Sequence, residues 1–245
     1  MSKNYQVFDR RDFLKKSALG IAGLALAPTV LAQAKAAGKL RTAHIGLGGM
    51  GMADLAAIAS HPEVEVVALC DVDGKALEGA KALYPNAKTY ADYRQMLKEL
   101  ENEFDAVVVS TPDHTHAPAS LMAMEMNKPV YCQKPLTHHV TEAREMKKMA
   151  EEKNLVTQMG IQVHSFYDYK LATLLIQSGI IGKVHTVRAW SPKNWGFDGP
   201  EPTGSDPVPA HLDWNLWLGT APKRDFKEDY YHPGNWRKVM DFGCG

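Results

Sequence analysis

The hexad Gly46-Leu47-Gly48-Gly49-Met50-Gly51 limits what this chain can fold into more than any other stretch. Its spacing is G-x-G-x-x-G. An apolar run, Leu40 to Ile45, precedes it, and Met52 to Ser60 follows with helical period, so the glycines fall at a turn from strand to helix. A second β-branched run, Val64 to Leu69, leads to Asp71, about twenty residues past Gly51. Each part has a physical task. Gly46 allows the tight turn, Gly48 lets a pyrophosphate approach the backbone, and Gly51 lets the helix pack on the strand. Gly49 and Met50 lie at the helix start, where free amides and the positive dipole end attract an anion. Asp71 can accept hydrogen bonds from a ribose 2′-hydroxyl and would repel a 2′-phosphate. This favours NAD, with NADP as the alternative. Asp71 could also be a turn residue in D-V-D-G, although Asp73 and Gly74 can serve that turn.

The alternation continues. Helices are predicted at Lys75–Leu83, Ala91–Leu100, Pro118–Met126 and Thr141–Lys153. Strands are predicted at Asp105–Ser110, Lys128–Cys132 and Leu155–Gly160. Met122, Met124 and Met126 read as core and surface filler. The pattern predicts an α/β fold, a Rossmann doubly wound parallel sheet, followed by the start of an α/β open-sheet domain. Ligands of such sheets bind beyond the carboxyl ends of the strands. There the chain carries the glycines, Asp71, Ser110-Thr111-Pro112 with His116, Gln133-Lys134-Pro135, and Gln162 with His164. A lysine at a strand exit could simply mark where the chain leaves the core. Its company on one sheet edge assigns Lys134 to the site instead.

Composition narrows the class. Lys and Arg number 28, as do Asp and Glu, and residues 35–245 carry 23 against 26. That balance gives no electrostatic reason to expect nucleic acid or an anionic membrane as partner. The cysteines, Cys70, Cys132 and Cys244, form no C-x-x-C pair, so no disulfide framework or zinc site is expected. Cys70 and Cys132 end apolar runs and read as buried hydrophobes.

Residues 1–34 read as a processing segment. Arg10-Arg11 with Phe13-Leu14-Lys15, the uncharged stretch Ser17 to Ala34 and the small-x-small site Ala32-Gln33-Ala34 resemble a twin-arginine signal, with Asp9 in place of Ser or Thr. The stretch is short and diluted by Gly20, Gly23 and Pro28 for a membrane span. The resemblance implies passage through the twin-arginine translocase as a folded, cofactor-loaded protein, and a periplasmic location.

From about Leu40 onward the order and spacing of these motifs resemble the Gfo/Idh/MocA oxidoreductases. The family's E-K-P signature appears as Gln133-Lys134-Pro135, and its T-P-x-x-x-H as Thr111-Pro112-Asp113-His114-Thr115-His116. The resemblance implies that Lys134 contacts both the nicotinamide end of the cofactor and the substrate hydroxyl, as the catalytic residue. It also implies that His116 lies beside the nicotinamide ribose. Gln133 in place of glutamate removes a charge next to Lys134 and could lower the lysine's tendency to stay protonated. Ser110, Thr111, Pro112, His116 and Gln162 join the glycine loop and Asp71 as expected cofactor contacts.

The expected domains are 35–162, the dinucleotide-binding unit, and 163–245, part of a substrate and oligomerisation domain. The latter is read as a helix, a glycine turn and a strand within "YKLATLLIQSGIIGKVHTVRAWS", then a long loop from Pro192 to Pro209. His164, Trp236 and Arg237 are candidate substrate contacts. Trp214, Trp217 and Trp236 suit either sugar faces or an aromatic core edge. His114, His138 and His139 read as helix-start or surface residues. "DFGCG" resembles the family segment that leads to an Asp/His-bearing helix, so a fragment is expected. The implied activity is hydride transfer between a sugar or polyol hydroxyl carbon and nicotinamide, in an enzyme that is a homo-oligomer when complete. The alternatives are an NAD-dependent glycosidase with transient sugar oxidation, or a dinucleotide-binding fragment without catalysis.

Overall fold

The computed structural model describes residues 38–190 and 203–243; the expected export segment, Cys244 and part of the Pro192–Pro209 loop lie outside the described residues. Six parallel strands form one sheet in the order β3-β2-β1-β4-β5-β6. They are β1 (Leu40–Ile45), β2 (Val64–Cys70), β3 (Lys88–Tyr90), β4 (Ala106–Val109), β5 (Val130–Gln133) and β6 (Thr157–Gly160). Helices α1 (Met50–Ala59), α2 (Gly74–Leu83), α3 (Tyr93–Glu99), α4 (Asp113–Glu125) and α5 (Val140–Glu152) alternate with them. The predicted doubly wound sheet is present, with one strand more than the sequence suggested. That strand, β3, is three residues long and half of an edge ladder, too short to show an apolar period.

Side chains leave the sheet on alternate faces. Ala43 and Ile45 of β1, Val107 and Val109 of β4, and Val130 and Cys132 of β5 share one face. There they meet Met96, Phe104, Met124 and Met146. Leu69 points to the other face and joins Leu47, Leu55 and Ala80. Cys70 and Cys132 are buried as expected, and burial pushes the Cys132 thiol up to about 12. Helix starts are set by carboxylates where the sequence offers them. Asp73 caps α2 by accepting from the Lys75 amide, and Asp92 caps α3 by accepting from the Arg94 amide.

Helix α4 corrects one boundary. Pro118 suggested a helix start, yet the helix begins at Asp113 and carries Pro118 inside it. A proline there leaves the carbonyl four residues back, that of His114, without its helical donor. Thr220 Oγ1 supplies one at 3.5 Å, from more than a hundred residues away.

Helix α6 (Tyr167–Gln177) forms as expected, but the strand predicted after its glycine turn does not. Residues 183–190 are exposed and irregular. A lone strand has no ladder to satisfy its backbone groups, and among the described residues none lies beside it.

Thr220 belongs to a later segment that packs on the carboxyl edge of the sheet. Its helix α7 (Trp214–Leu218) and a 3-10 turn at Asn235–Lys238 surround an aromatic core. Trp214 stacks on Trp217 at 4.8 Å, and Phe242 meets Trp217 edge-on at 4.8 Å. Backbone bonds stitch the segment to the end of β2: the Gly74 amide donates to the His211 carbonyl and the Asp213 amide to that of Val72. His114 corrects the surface alternative. It sits at a helix start but is buried between Trp217 and Phe242, with Nε2 donating to the Trp217 carbonyl at 3.1 Å. His139 does start α5, its amide donating to Glu142.

His44 of β1 gives the unit a pH limit. It is fully enclosed, shares a 3.0 Å hydrogen bond with Thr42 Oγ1, and burial brings its pKa down to about 4. An unfolded histidine titrates near 6.5, so between these values the unfolded chain binds a proton that the folded one refuses. Stability should therefore fall as pH drops from about 6.5 to about 4, by about 3 kcal/mol. Urea unfolding across that range should show the loss, and His44→Gln should flatten it.

Candidate active site

The glycine turn is built by contact. Gly46 has φ of 86°, and a Cβ on it would lie 2.7 Å from the Ser110 backbone. A Cβ on Gly51 would lie 2.1 Å from the Gly46 carbonyl oxygen, so α1 touches the turn directly. Gly48 and Gly49 have the opposite surroundings, with nothing within 4 Å of a Cβ. That open space is part of a groove of about 640 Å³. Helix α1 has no side-chain cap at this end. Bare amides, a helix N-terminus and an open cradle fit a diphosphate.

Asp71 stands at the end of β2 on the wall of the same groove. Its Oδ2 accepts from the Leu47 amide at 2.6 Å and its Oδ1 from the Asp73 amide at 2.9 Å. Burial pushes its pKa up, against the pull of those two amides. It thus ties the glycine loop to the second strand and keeps lone pairs for ribose hydroxyls. Asp73 and Asp92 line the groove nearby. Arg94, the neighbouring cation, is held bidentate by Asp92. Three carboxylates make this end unfavourable for a 2′-phosphate. His232 Nε2 bonds Asp73 Oδ2 at 2.8 Å, which holds the Asp73 carboxyl below the usual range against burial. This clasp draws the Trp236-Arg237 turn over the groove.

The opposite end is formed by β4 and β5. Ser110, Thr111 and Pro112 line the groove, as do His116 and Lys134. His116 is buried, and burial pushes its imidazole toward the neutral form. Its ring nitrogens face two carbonyls, Pro135 at 2.7 Å and Thr111 at 2.8 Å. A neutral ring carries one N–H, so it donates to one of these carbonyls at a time while lying between the two loops. The Lys134–Pro135 bond is cis. The Lys134 side chain is exposed at the groove.

The structure brings together Gly46, Gly48, Gly49, Met50, Asp71, Ser110, Thr111, Pro112, His116 and Lys134 on one groove, with Trp236 and Arg237 across it. Gly51 lies behind the turn, as its packing task requires. Gln162 is not on the groove wall but touches Met50, its Nε2 3.4 Å from the sulfur. His164 is not brought in: it stacks on Tyr169 at the surface, lining a separate shallow cavity. Trp214, Trp217 and Trp236 are core first, each buried in the aromatic cluster, although Trp217 and Trp236 also edge the groove. Arg237 lies over the Trp236 ring at 4.2 Å. Sequence reading missed Asp54, Asn215, Thr220 and His232. None stands in a motif, and each reaches the site through packing over long sequence distance.

Fold and groove define a dinucleotide-binding domain. Residues 40–161 match the family GFO_IDH_MocA, described as an oxidoreductase family with an NAD-binding Rossmann fold. This domain is similar to that family's NAD-binding fold, and its cofactor class is NAD. It is 37% identical over 133 residues to a glycosyl hydrolase family 109 protein of Stenotrophomonas maltophilia, covering 51% of this chain and 29% of that protein. Among solved structures it resembles myo-inositol 2-dehydrogenase from Lactobacillus plantarum, with TM-score 0.56, 30% identity, and coverage of 60% of this chain and 43% of the other. It also resembles the WlbA dehydrogenase of Bordetella pertussis, a complex with NADH and UDP-GlcNAcA, with TM-score 0.53, 25% identity, and coverage of 58% and 43%. The chain thus spans less than half the length of each of these relatives.

Asp71→Ala should weaken NAD binding about tenfold or more, the range for a lost hydrogen bond to a charged group. NADP binding should weaken less, because a repulsive carboxylate leaves with it. Calorimetric titration of both dinucleotides checks this.

Proposed function

We propose that this chain is the NAD-binding part of an oxidoreductase that moves a hydride between a sugar or polyol carbinol carbon and nicotinamide. The observation that carries the reading is the opening of Lys134, at the end of β5, onto the groove that begins at the glycine turn. Gly46 to Met50 would hold the diphosphate, Asp71 the ribose, and Ser110 to Pro112 with His116 the nicotinamide end. The chemistry that NAD supplies when bound is acceptance of the hydride. Lys134 would donate a hydrogen bond to the substrate hydroxyl oxygen and stabilise the negative charge that develops there in the transition state. The names of the relatives, an inositol dehydrogenase and a dehydrogenase bound to a sugar nucleotide, support a polyhydroxylated substrate.

A second reading is a glycosidase that oxidises its sugar transiently and returns the hydride before release. The identity to a glycosyl hydrolase family 109 protein favours it. Net redox change separates the two readings. The protein expressed from its full reading frame should release stoichiometric NAD on denaturation, read by mass spectrometry. A dehydrogenase should accumulate NADH with polyols, whereas a glycosidase should release aglycone with no net NADH. Lys134→Ala should lower either activity about 10²- to 10⁴-fold. An empty protein that takes up neither dinucleotide would overturn both readings.

We also propose export by the twin-arginine translocase, supported by Arg10-Arg11 and the uncharged stretch to Ala34, with a periplasmic, self-associating product. Exposed apolar side chains on and after α6, such as Leu174, Ile180 and Val187, offer surface for burial. Arg10→Lys with Arg11→Lys should leave the protein in the cytoplasmic fraction, and light scattering of the exported protein should give at least a dimer mass.

A further inference from the structure

Lys134 protrudes from a strand end, and a side chain there is only as well placed as its backbone. Gln133 on the groove wall and Asp54 behind it fix that backbone. The Lys134 amide donates to Gln133 Oε1 at 3.0 Å. Gln133 Nε2 donates to both carboxylate oxygens of Asp54, at 3.0 and 2.9 Å. Ser110 Oγ, on the neighbouring strand exit, donates to Asp54 Oδ2 at 2.7 Å. Gln133 and Asp54 are 4% and 6% exposed, so water cannot substitute for these partners.

The orientation is forced. A carboxylate only accepts, so the Gln133 amide must turn its NH₂ to Asp54 and its oxygen to the Lys134 amide. The space is also made for it. Gly160, the β6 partner of Gln133, would place a Cβ 2.9 Å from Gln133 Nε2. On the far side, His116 grips the Pro135 carbonyl. The residue between is thus held from both directions.

We propose that Asp54 is a positioning residue: through Gln133 it orients the strand end that presents Lys134, and through Ser110 it locks the same unit to the β4 exit. The proposal rests on the assignment of Lys134 to the site. The carboxylate that holds the Gln133 amide comes from α1, one side chain away.

The test exchanges the roles of the pair in the full-length protein. Gln133→Glu sets two carboxylates against each other, and Asp54→Asn replaces the charged acceptor with a neutral amide. The double variant restores one donor facing one carboxylate, and the carboxylate now at position 133 still accepts from the Lys134 amide. Each single variant should lower kcat, by up to about 10²-fold, the effect of misplacing a reacting group by about an ångström. NAD affinity should stay within about threefold, and the double variant should recover most of kcat. A double variant no better than the product of the singles would overturn the proposal. So would single variants with unaltered kcat.

A second readout does not depend on turnover. The rate of acetylation of Lys134 by acetic anhydride, relative to the other lysines by peptide mass spectrometry, should change in each single variant and return in the double. An unchanged Lys134 rate in the singles sinks the proposal. Should a single variant fail to fold, Gln133→Met removes both hydrogen bonds without adding charge and must lower kcat and shift the Lys134 rate. Lys134→Ala distinguishes the two failures. Full activity in that variant overturns the assignment of Lys134, whereas the labelling rates still decide whether Asp54 positions it.

Discussion

The approach of α1 to the end of β1 is the constraint on which the site depends. Gly51 rests against the Gly46 carbonyl at a distance no side chain could share, and Gly46 turns against the backbone of Ser110. These contacts bring three things within reach of one another: a helix N-terminus without a side-chain cap, the exit of β4, and the carboxylate of Asp71. The same approach sets the first turns of α1 against β5, so Asp54 reaches Gln133. Close packing at two glycines therefore positions both the anion cradle and the support of Lys134.

A second layer comes from the segment that holds α7. It has little regular structure, yet its tryptophans and Phe242 give it an interior. Its attachments fall where the sheet leaves polar groups to satisfy: the carbonyl freed by Pro118, the carbonyl of Val72 and the carboxylate of Asp73. An aromatic cluster supplies the apolar burial and a few directed bonds fix its register. The outcome is a groove walled on one side by the sheet edge and on the other by Trp236 and Arg237.

Much of this was legible in advance. The doubly wound sheet needed only the alternation of periods, and the cofactor end needed only the spacing of Gly46, Gly48, Gly51 and Asp71. Lys134 was legible because five strand exits carried polar residues in succession. The misreadings have physical causes. Pro118 looked like a helix start because its missing amide is tolerated there, and nothing local showed that Thr220 would serve the orphaned carbonyl. His114 does lie at a helix start, but the rings that bury it, Trp217 and Phe242, arrive from more than a hundred residues away. The strand foreseen after α6 follows a glycine turn, but a strand exists only with a neighbour.

The division follows from the range of the forces. Turn stereochemistry, side-chain period and the placement of anion-binding amides act over a few residues, so the sequence by itself determined the doubly wound sheet, the glycine cradle and the strand-end lysine. Asp54 against Gln133, His232 against Asp73 and His114 between Trp217 and Phe242 join positions dozens to more than a hundred residues apart. Only the tertiary structure decided these, because a buried polar group takes whichever partner packing delivers. No spacing rule records that choice.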